Sequence, residues 1–281
     1  ITGLYGWQKQ FYNKGCIVKR LRFDYFMKIE YSEPVSLCHF TIKCFPKNTL
    51  RQKPEGVSVA LSPAVPYSIG ADAFGNRQIY GRDDIVHHTF SFRITGSVRT
   101  GNLLWEEEAD EDLTSVFRYP HGLNRAGEKL RAYHHEMADK FPEDVYEKGL
   151  FLMHELYRDF NYEKGVTEMH TTAEEAFCLG KGVCQDYAHI LIALLQMEGI
   201  PARYVTGMLI GEGASHAWVE VLYQGRWYGL DPTNDSAVTD AHIKIGVGRD
   251  ASDCLINRGI MHGGGTQKQT IEVIVGEEGL C

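Results

Sequence analysis

The 281-residue sequence predicts an α+β fold in two parts. Three observations carry the prediction. The first hundred residues hold short alternating segments broken by turn signals. Helical periodicity takes over after about residue 105, and three strand-like runs follow the strongest helix. The expected organisation is an N-terminal antiparallel β-sandwich over 1–105 and a connection over 106–125. A second unit over 126–281 follows, in which that helix packs on an antiparallel sheet.

Each element has its own signal. Phe23, Tyr25, Met27, Ile29 and Tyr31 alternate with Asp24, Lys28 and Glu30, the period of a half-buried strand. Phe40–Phe45 repeats the pattern before Pro46, Val57–Leu61 stops at Pro63, and Thr89–Val98 sets Phe90, Phe92 and Ile94 on one face. Asp72-Ala73-Phe74-Gly75-Asn76 has the residue types of a hairpin turn. The acidic Trp105–Asp112 stretch reads as a solvated connection. Helices are expected over Ala126–Phe141 and Val145–Phe160, where Leu152, Leu156 and Phe160 recur four apart. A third runs from Val183 to Glu198, with Tyr187, Ile190, Leu191, Leu194 and Leu195 on one stripe and Gly199 and Pro201 as stop signals. The strand-like runs after it are Arg203–Ile210, Ala217–Tyr223 and Trp227–Leu230.

Composition narrows the function classes. Lys and Arg number 29 against 37 Asp and Glu, for a net charge of −8. That balance leaves no basic patch, which argues against nucleic-acid partners and polybasic membrane attachment. No apolar run reaches the roughly 18 residues of a membrane span, and Ile190–Leu195 is far shorter. Ile1–Gly15 is mixed and aromatic, without a signal-peptide core. Seven Cys, an odd number without a Cys-x-x-Cys pair, favour reduced thiols in a cytoplasm.

The candidate chemistry centres on Cys184, in Gly182-Val183-Cys184-Gln185-Asp186 at the entry to the strong helix. First-turn N–H groups and the helix dipole favour negative charge, so a thiol there ionises more readily than a buried, inert Cys. Of 12 His, His189 lies on another face of the same helix and reads as a packing or surface residue. His216 opens a strand after the glycine-containing loop Gly211–Ser215, and Asp231 ends the next one. A tight turn at Gln224-Gly225 would bring these two ends together, within hydrogen-bond reach. Asp231 would then fix the ring of His216, which serves Cys184. Asp186 and Trp218 are further candidates for the substrate cleft. Against that stand a first-turn Asp facing the helix dipole and an ordinary core aromatic.

Three ordered blocks resemble the transglutaminase-like superfamily. They are Gly182-x-Cys184-x-Asp186, His216-Ala217-Trp218-Val219-Glu220-Val221 and Trp227-Tyr228-Gly229-Leu230-Asp231-Pro232-Thr233. The likeness is to the bacterial transglutaminase-like and cysteine-protease branch, with a β-rich region ahead of the core. It extends to Thr171–Phe177, Gly199–Val205, His242, Gly248-Arg249-Asp250 and Gly263-Gly264-Gly265. It implies a papain-like core with a Cys184–His216–Asp231 triad. The chain departs from the pattern at Asp253-Cys254-Leu255-Ile256, where such relatives commonly carry a proline pair.

The expected function is thiol-dependent acyl transfer on amide bonds of a peptide or protein substrate, through a thioester. Hydrolysis is favoured over transamidation, since water is always available. The alternative is a catalytically inactive scaffold that binds peptides on the same fold. No metal and no organic cofactor are expected. His87-His88 and His134-His135 diverge too far to chelate, and Gly263-Gly264-Gly265 lacks the Lys-Ser/Thr of a phosphate loop. The sequence leaves the oligomeric state open.

Overall fold

In chain order the first half runs β1 (Lys19–Ile42), β2 (Gln52–Ser62), β3 (Tyr67–Ala71), β4 (Arg77–Asp83) and β5 (His87–Thr100). These come from a computed structural model that describes residues 19–278. The Ile1–Gly15 segment, Cys16 and Cys281 lie outside the described residues. The second half continues with β6 (Glu107–Glu108), α1 (Glu111–Thr114), α2 (Glu128–Met137), α3 (Val145–Asp159), β7 (Asn161–Tyr162) and α4 (Ala173–Leu179). Then come β8 (Lys181–Gly182), α5 (Cys184–Met197), β9 (Ala202–Leu209), β10 (Gly211–Gly213), β11 (His216–Tyr223) and β12 (Arg226–Asp231). The last four are β13 (Ser236–Ala237), β14 (His242–Gly248), β15 (Asn257–Gly263) and β16 (Gln267–Glu277).

Strand β1 organises the first half. Leu21 to Tyr31 bury every second side chain, and Phe40 and Ile42 resume the pattern beyond a bend. The two runs expected as separate strands are therefore one. At the bend Leu37 takes a φ of 51°, and the ladders to β5 and β15 both slip register. Before the bend β1 pairs with β5 and β16, and after it with β4 and β15. The expected antiparallel β-rich half is present, its strands joined into one eight-stranded hydrogen-bonded sheet that turns with β1. Phe40 meets Phe90 across the fold, with ring centroids 5.1 Å apart.

Strands β15 and β16, which the sequence reading placed in the 126–281 unit, belong to this sheet. Ile271, Val273 and Val275 alternate in register with Met27, Tyr25 and Phe23, so their apolar face completes the same core. The β3–β4 hairpin turns at Asp72–Asn76 as expected, with Gly75 at a φ of 70° and Asp72 accepting from the backbone of Phe74 and Asn76.

The second sheet has the order β13-β12-β11-β9-β14, with β6 also on β12, and is antiparallel throughout. Ala217, Val219 and Val221 of β11 share a core with α5, while Ile243 and Ile245 of β14 join the core of the first half. Helix α5 differs from the one-stripe expectation. Every residue from Tyr187 to Leu195 is at most 2% exposed, so this is a central helix buried all round. His189 is part of that burial: Nε2 accepts from Ala251 N at 3.1 Å, and the ring lies on Tyr204. The acidic stretch is solvated at Glu108 and from Asp110 to Asp112, but not at Glu106 and Glu107. Glu106 is buried against Arg51 Nη1 at 2.6 Å, and Glu107 pairs with Lys244 at 2.9 Å. Those cations lie far away in sequence, which hid the pairing.

Candidate active site

Two neighbouring strand ends and one helix start make the site. Strands β11 and β12 join through Gln224 and Gly225, at φ values of 47° and 73°, the left-handed pair of a two-residue hairpin. Val219 faces Leu230 in the ladder. One step further Asp231 comes opposite Trp218, on the sheet face shared by His216 two residues away. His216 Nε2 donates to Asp231 Oδ2 at 2.8 Å. Gly207 is His216's partner on β9, and an added Cβ there would collide with the Trp218 ring and Ile243 O.

Cys184 is half-buried at the first position of α5. Gly182, in the β8 turn just before it, lies so close to Asp186 that an added Cβ would strike the carboxylate. The pairing of β8 with β7 brings Tyr162 to the same place. Burial first, and the neighbouring Cys184 next, raise the hydroxyl pKa values of Tyr162 and Tyr204. With Nε2 held by Asp231, Nδ1 of His216 is left for the thiol. Burial works against the imidazolium, but hydrogen bonds to Asp231 and Cys184 outweigh it and raise His216 to about 10.

Asp231 is buried and heavily bonded. Oδ2 also accepts from Asn234 Nδ2 at 2.7 Å and His242 Nε2 at 3.1 Å, and Oδ1 accepts from Thr233 N at 3.1 Å. Burial alone would raise this carboxyl, yet these bonds and the His216 charge hold it well below the usual carboxylate range. His242 Nδ1 accepts from Thr239 N at 3.2 Å, so the proton sits on Nε2 and points at Asp231. Sequence reading noted His242 only within the resemblance and missed Asn234. The available signal was Asp231-Pro232-Thr233-Asn234, a turn in which an Asp accepts from the backbone two residues on.

The remaining candidates lie elsewhere. Asp186 is buried and accepts from Val183 N and Thr167 Oγ1, both at 2.7 Å, which caps the start of α5. Trp218 is fully buried beneath the imidazoles, 5.3 Å from the His242 ring and 6.2 Å from His216, rather than on a cleft wall. Among the described residues, two groups have ligand atoms spaced as a metal would accept: His216, Asp231 and His242, and His121, Asp250 and Asp253. In the first group these atoms already bond one another, and in the second they are engaged by neighbouring side chains. Arg249 grips Asp253 at 2.8 and 3.0 Å, and His121 Nδ1 lies 2.9 Å from Asp250. His87 pairs with Asp83 and His134 with Glu198.

Two regions of the chain match models of known protein families. Residues 132–232 match the model of the transglutaminase-like superfamily, and residues 21–99 that of the bacterial transglutaminase-like N-terminal region. Protein ML0607 of Mycobacterium leprae is 41% identical over 115 residues, a match spanning 37% of this chain and 41% of that protein. Protein Rv2569c of Mycobacterium tuberculosis is 28% identical over 291 residues, covering 86% and 88% of the two chains. The structure described as a "Putative Cysteine Protease from Cytophaga hutchinsonii" covers 95% of this chain and 93% of its own, with a TM-score of 0.77 at 22% identity, and shares the fold. With both regions matched in order, the chain belongs to the transglutaminase-like superfamily, in the form that carries the bacterial transglutaminase-like N-terminal region.

Proposed function

We propose that the protein is a thiol-dependent acyl-transfer enzyme acting on amide bonds of peptide or protein substrates. The observation that supports it most is the orientation of His216. One ring nitrogen is bound by a buried carboxylate, and the ring lies close enough to a half-buried thiol at a helix start for that thiol to raise its pKa. In the proposed reaction Cys184 Sγ, as thiolate, attacks the carbonyl carbon, and the oxyanion forms beside the first turn of α5. Losing one donor to such an oxyanion costs about 2.7–4 kcal/mol of barrier. The C–N bond breaks as His216 gives its proton to the departing amine, leaving a thioester. Water then attacks the thioester carbon, passes a proton to His216 and releases a carboxylic acid and the thiolate. An amine in place of water would give transamidation. Hydrolysis is the favoured outcome because water needs no binding site of its own.

Alkylation by iodoacetamide, followed at Cys184 by peptide mass spectrometry from pH 4 to 10, tests the reading. Labelling should stay fast below about pH 6.5 and lose that advantage in His216→Ala. A rate that rises only near pH 8.5, and is the same in the mutant, would leave a peptide-binding scaffold as the better account.

A further inference from the structure

The core of the β-rich half opens into a cleft of about 440 Å³. Its walls include Tyr25, Met27 and Ile29 of β1, Met261 of β15 and Ile271 of β16. The pairing of Met27 with Ile271, and of Ile29 with Gln269, sets these side chains side by side on one sheet face. Its rim carries Gln185 and Ser215, which follow Cys184 and precede His216 in the chain. Gln185 is itself tied to the rim by a 3.2 Å bond to Met169 O. The rim of the cleft is therefore one residue from Cys184 and one from His216 in the chain, and most of its surface comes from the other half of the molecule.

Two features define its occupant. Among the described residues, no charged side chain lines it. A charged group entering would lose water without gaining a partner. The second feature is Tyr25. Its hydroxyl is buried beside Ser215 and, among the described residues, meets no partner in good hydrogen-bond geometry. A buried phenol of this kind needs an acceptor, and a peptide carbonyl is one. The volume falls within the roughly 300–1,000 Å³ of small-ligand sites.

We infer that this cleft is the specificity pocket of the acyl donor. It takes a bulky, uncharged apolar side chain next to the reacting amide, while Tyr25 donates to a neighbouring backbone carbonyl. The β-rich half thus selects the substrate. The inference rests on Cys184 being the nucleophile of the reaction proposed above.

N-acetyl-aminoacyl chloromethyl ketones test it in the full chain. The Cys184 sulfur attacks the methylene carbon, a C–S bond forms and chloride leaves. Phenylalanyl and leucyl reagents should label Cys184 at least about tenfold faster than glycyl and aspartyl ones, the scale of apolar-pocket discrimination. Gln269→Trp, at an exposed position of the cleft wall, should remove that preference while iodoacetamide labels at the unchanged rate. Tyr25→Phe should slow the peptidyl reagents alone. Equal rates for all four reagents, with iodoacetamide labelling intact, would overturn the pocket. Absent iodoacetamide labelling would instead count against the nucleophile. Fluorescence anisotropy of fluorescein-tagged phenylalanyl and aspartyl peptide amides then decides the pocket by itself. Phenylalanyl-selective binding lost in Gln269→Trp keeps the pocket, and indifference rejects it.

Discussion

Strand β11 carries two buried charge clusters on one face, and they differ in what is left unpaired. At its start His216 meets Asp231, and four residues on Glu220 meets Arg203 at 2.7 Å. Strand β14 repeats the arrangement, with His242 on Asp231 and Lys244 on Glu220 at 3.0 Å. Trp218 lies between the clusters in the chain and is wholly buried. In the Glu220 cluster two carboxylates, Glu107 and Glu220, face two cations, Arg203 and Lys244, with Trp227 stacked on the Arg203 guanidinium. Burial alone would raise Glu220, but those cations hold it below its ordinary value. Every charge there is spent on another. In the Asp231 cluster the carboxylate is saturated in the same way, yet the ring it supports binds it through Nε2 alone and lies near the Cys184 thiol. Burial of charge by itself is therefore weak evidence of function, because an ion pair can be purely internal. The unspent valence on His216 marks the difference.

Substitutions on either side of Trp218 should separate the two roles. Asp231→Asn removes the charge that holds the His216 imidazolium, and turnover of a peptide substrate is expected to fall about 10⁴-fold. Iodoacetamide labelling of Cys184 should drop with it. Unchanged turnover would make Asp231 as internal as Glu220. Glu220→Gln strips one partner from two buried cations and should cost about 3–5 kcal/mol of unfolding free energy in a denaturant titration. Turnover per folded molecule should stay near its original value. If Glu220→Gln lowered turnover without lowering stability, the two clusters would be one functional unit.

How much of this was legible in the sequence depends on contact range. The His216–Asp231 approach could be read because a two-residue turn fixes the ladder, and Gln224-Gly225 is local chemistry. Cys184 at a helix start was equally local. The partners that complete the site were harder to see, because Asn234 and His242 reach Asp231 through a turn and a strand that crosses from the far side of β9. Glu106 and Glu107 looked like solvated charges for the same reason: Arg51, Arg203 and Lys244 become their neighbours only after two sheets have formed. Strands β15 and β16 read as part of the second half because strand patterning names a buried face and not a partner. Trp218 is the opposite case. Its same-face relation to His216 was correctly derived from strand period, but that face turns inward, so the ring supports the imidazoles from below.

The smallest expected effect concerns pH and sharpens the comparison most. His216 is raised from 6.5 to about 10, so the stability it contributes is full below about pH 6.5 and is lost as pH rises through about 10. Asp231 is held below its ordinary 3.8, so its contribution is full above that value and is lost as pH falls. Together they stabilise the fold most between about pH 4 and 6.5, and His216→Gln should flatten the alkaline decline in thermal unfolding. His242→Leu tests how Asp231 is shared. It removes one of three donors to Oδ2, so more of the carboxylate's charge bears on His216. The His216 ring, followed by NMR, should then titrate higher than in the parent protein, with turnover reduced less than about tenfold. A downward move would mean that His242 serves mainly to aim Asp231. In that case the carboxylate depends on its neighbours for position more than for charge.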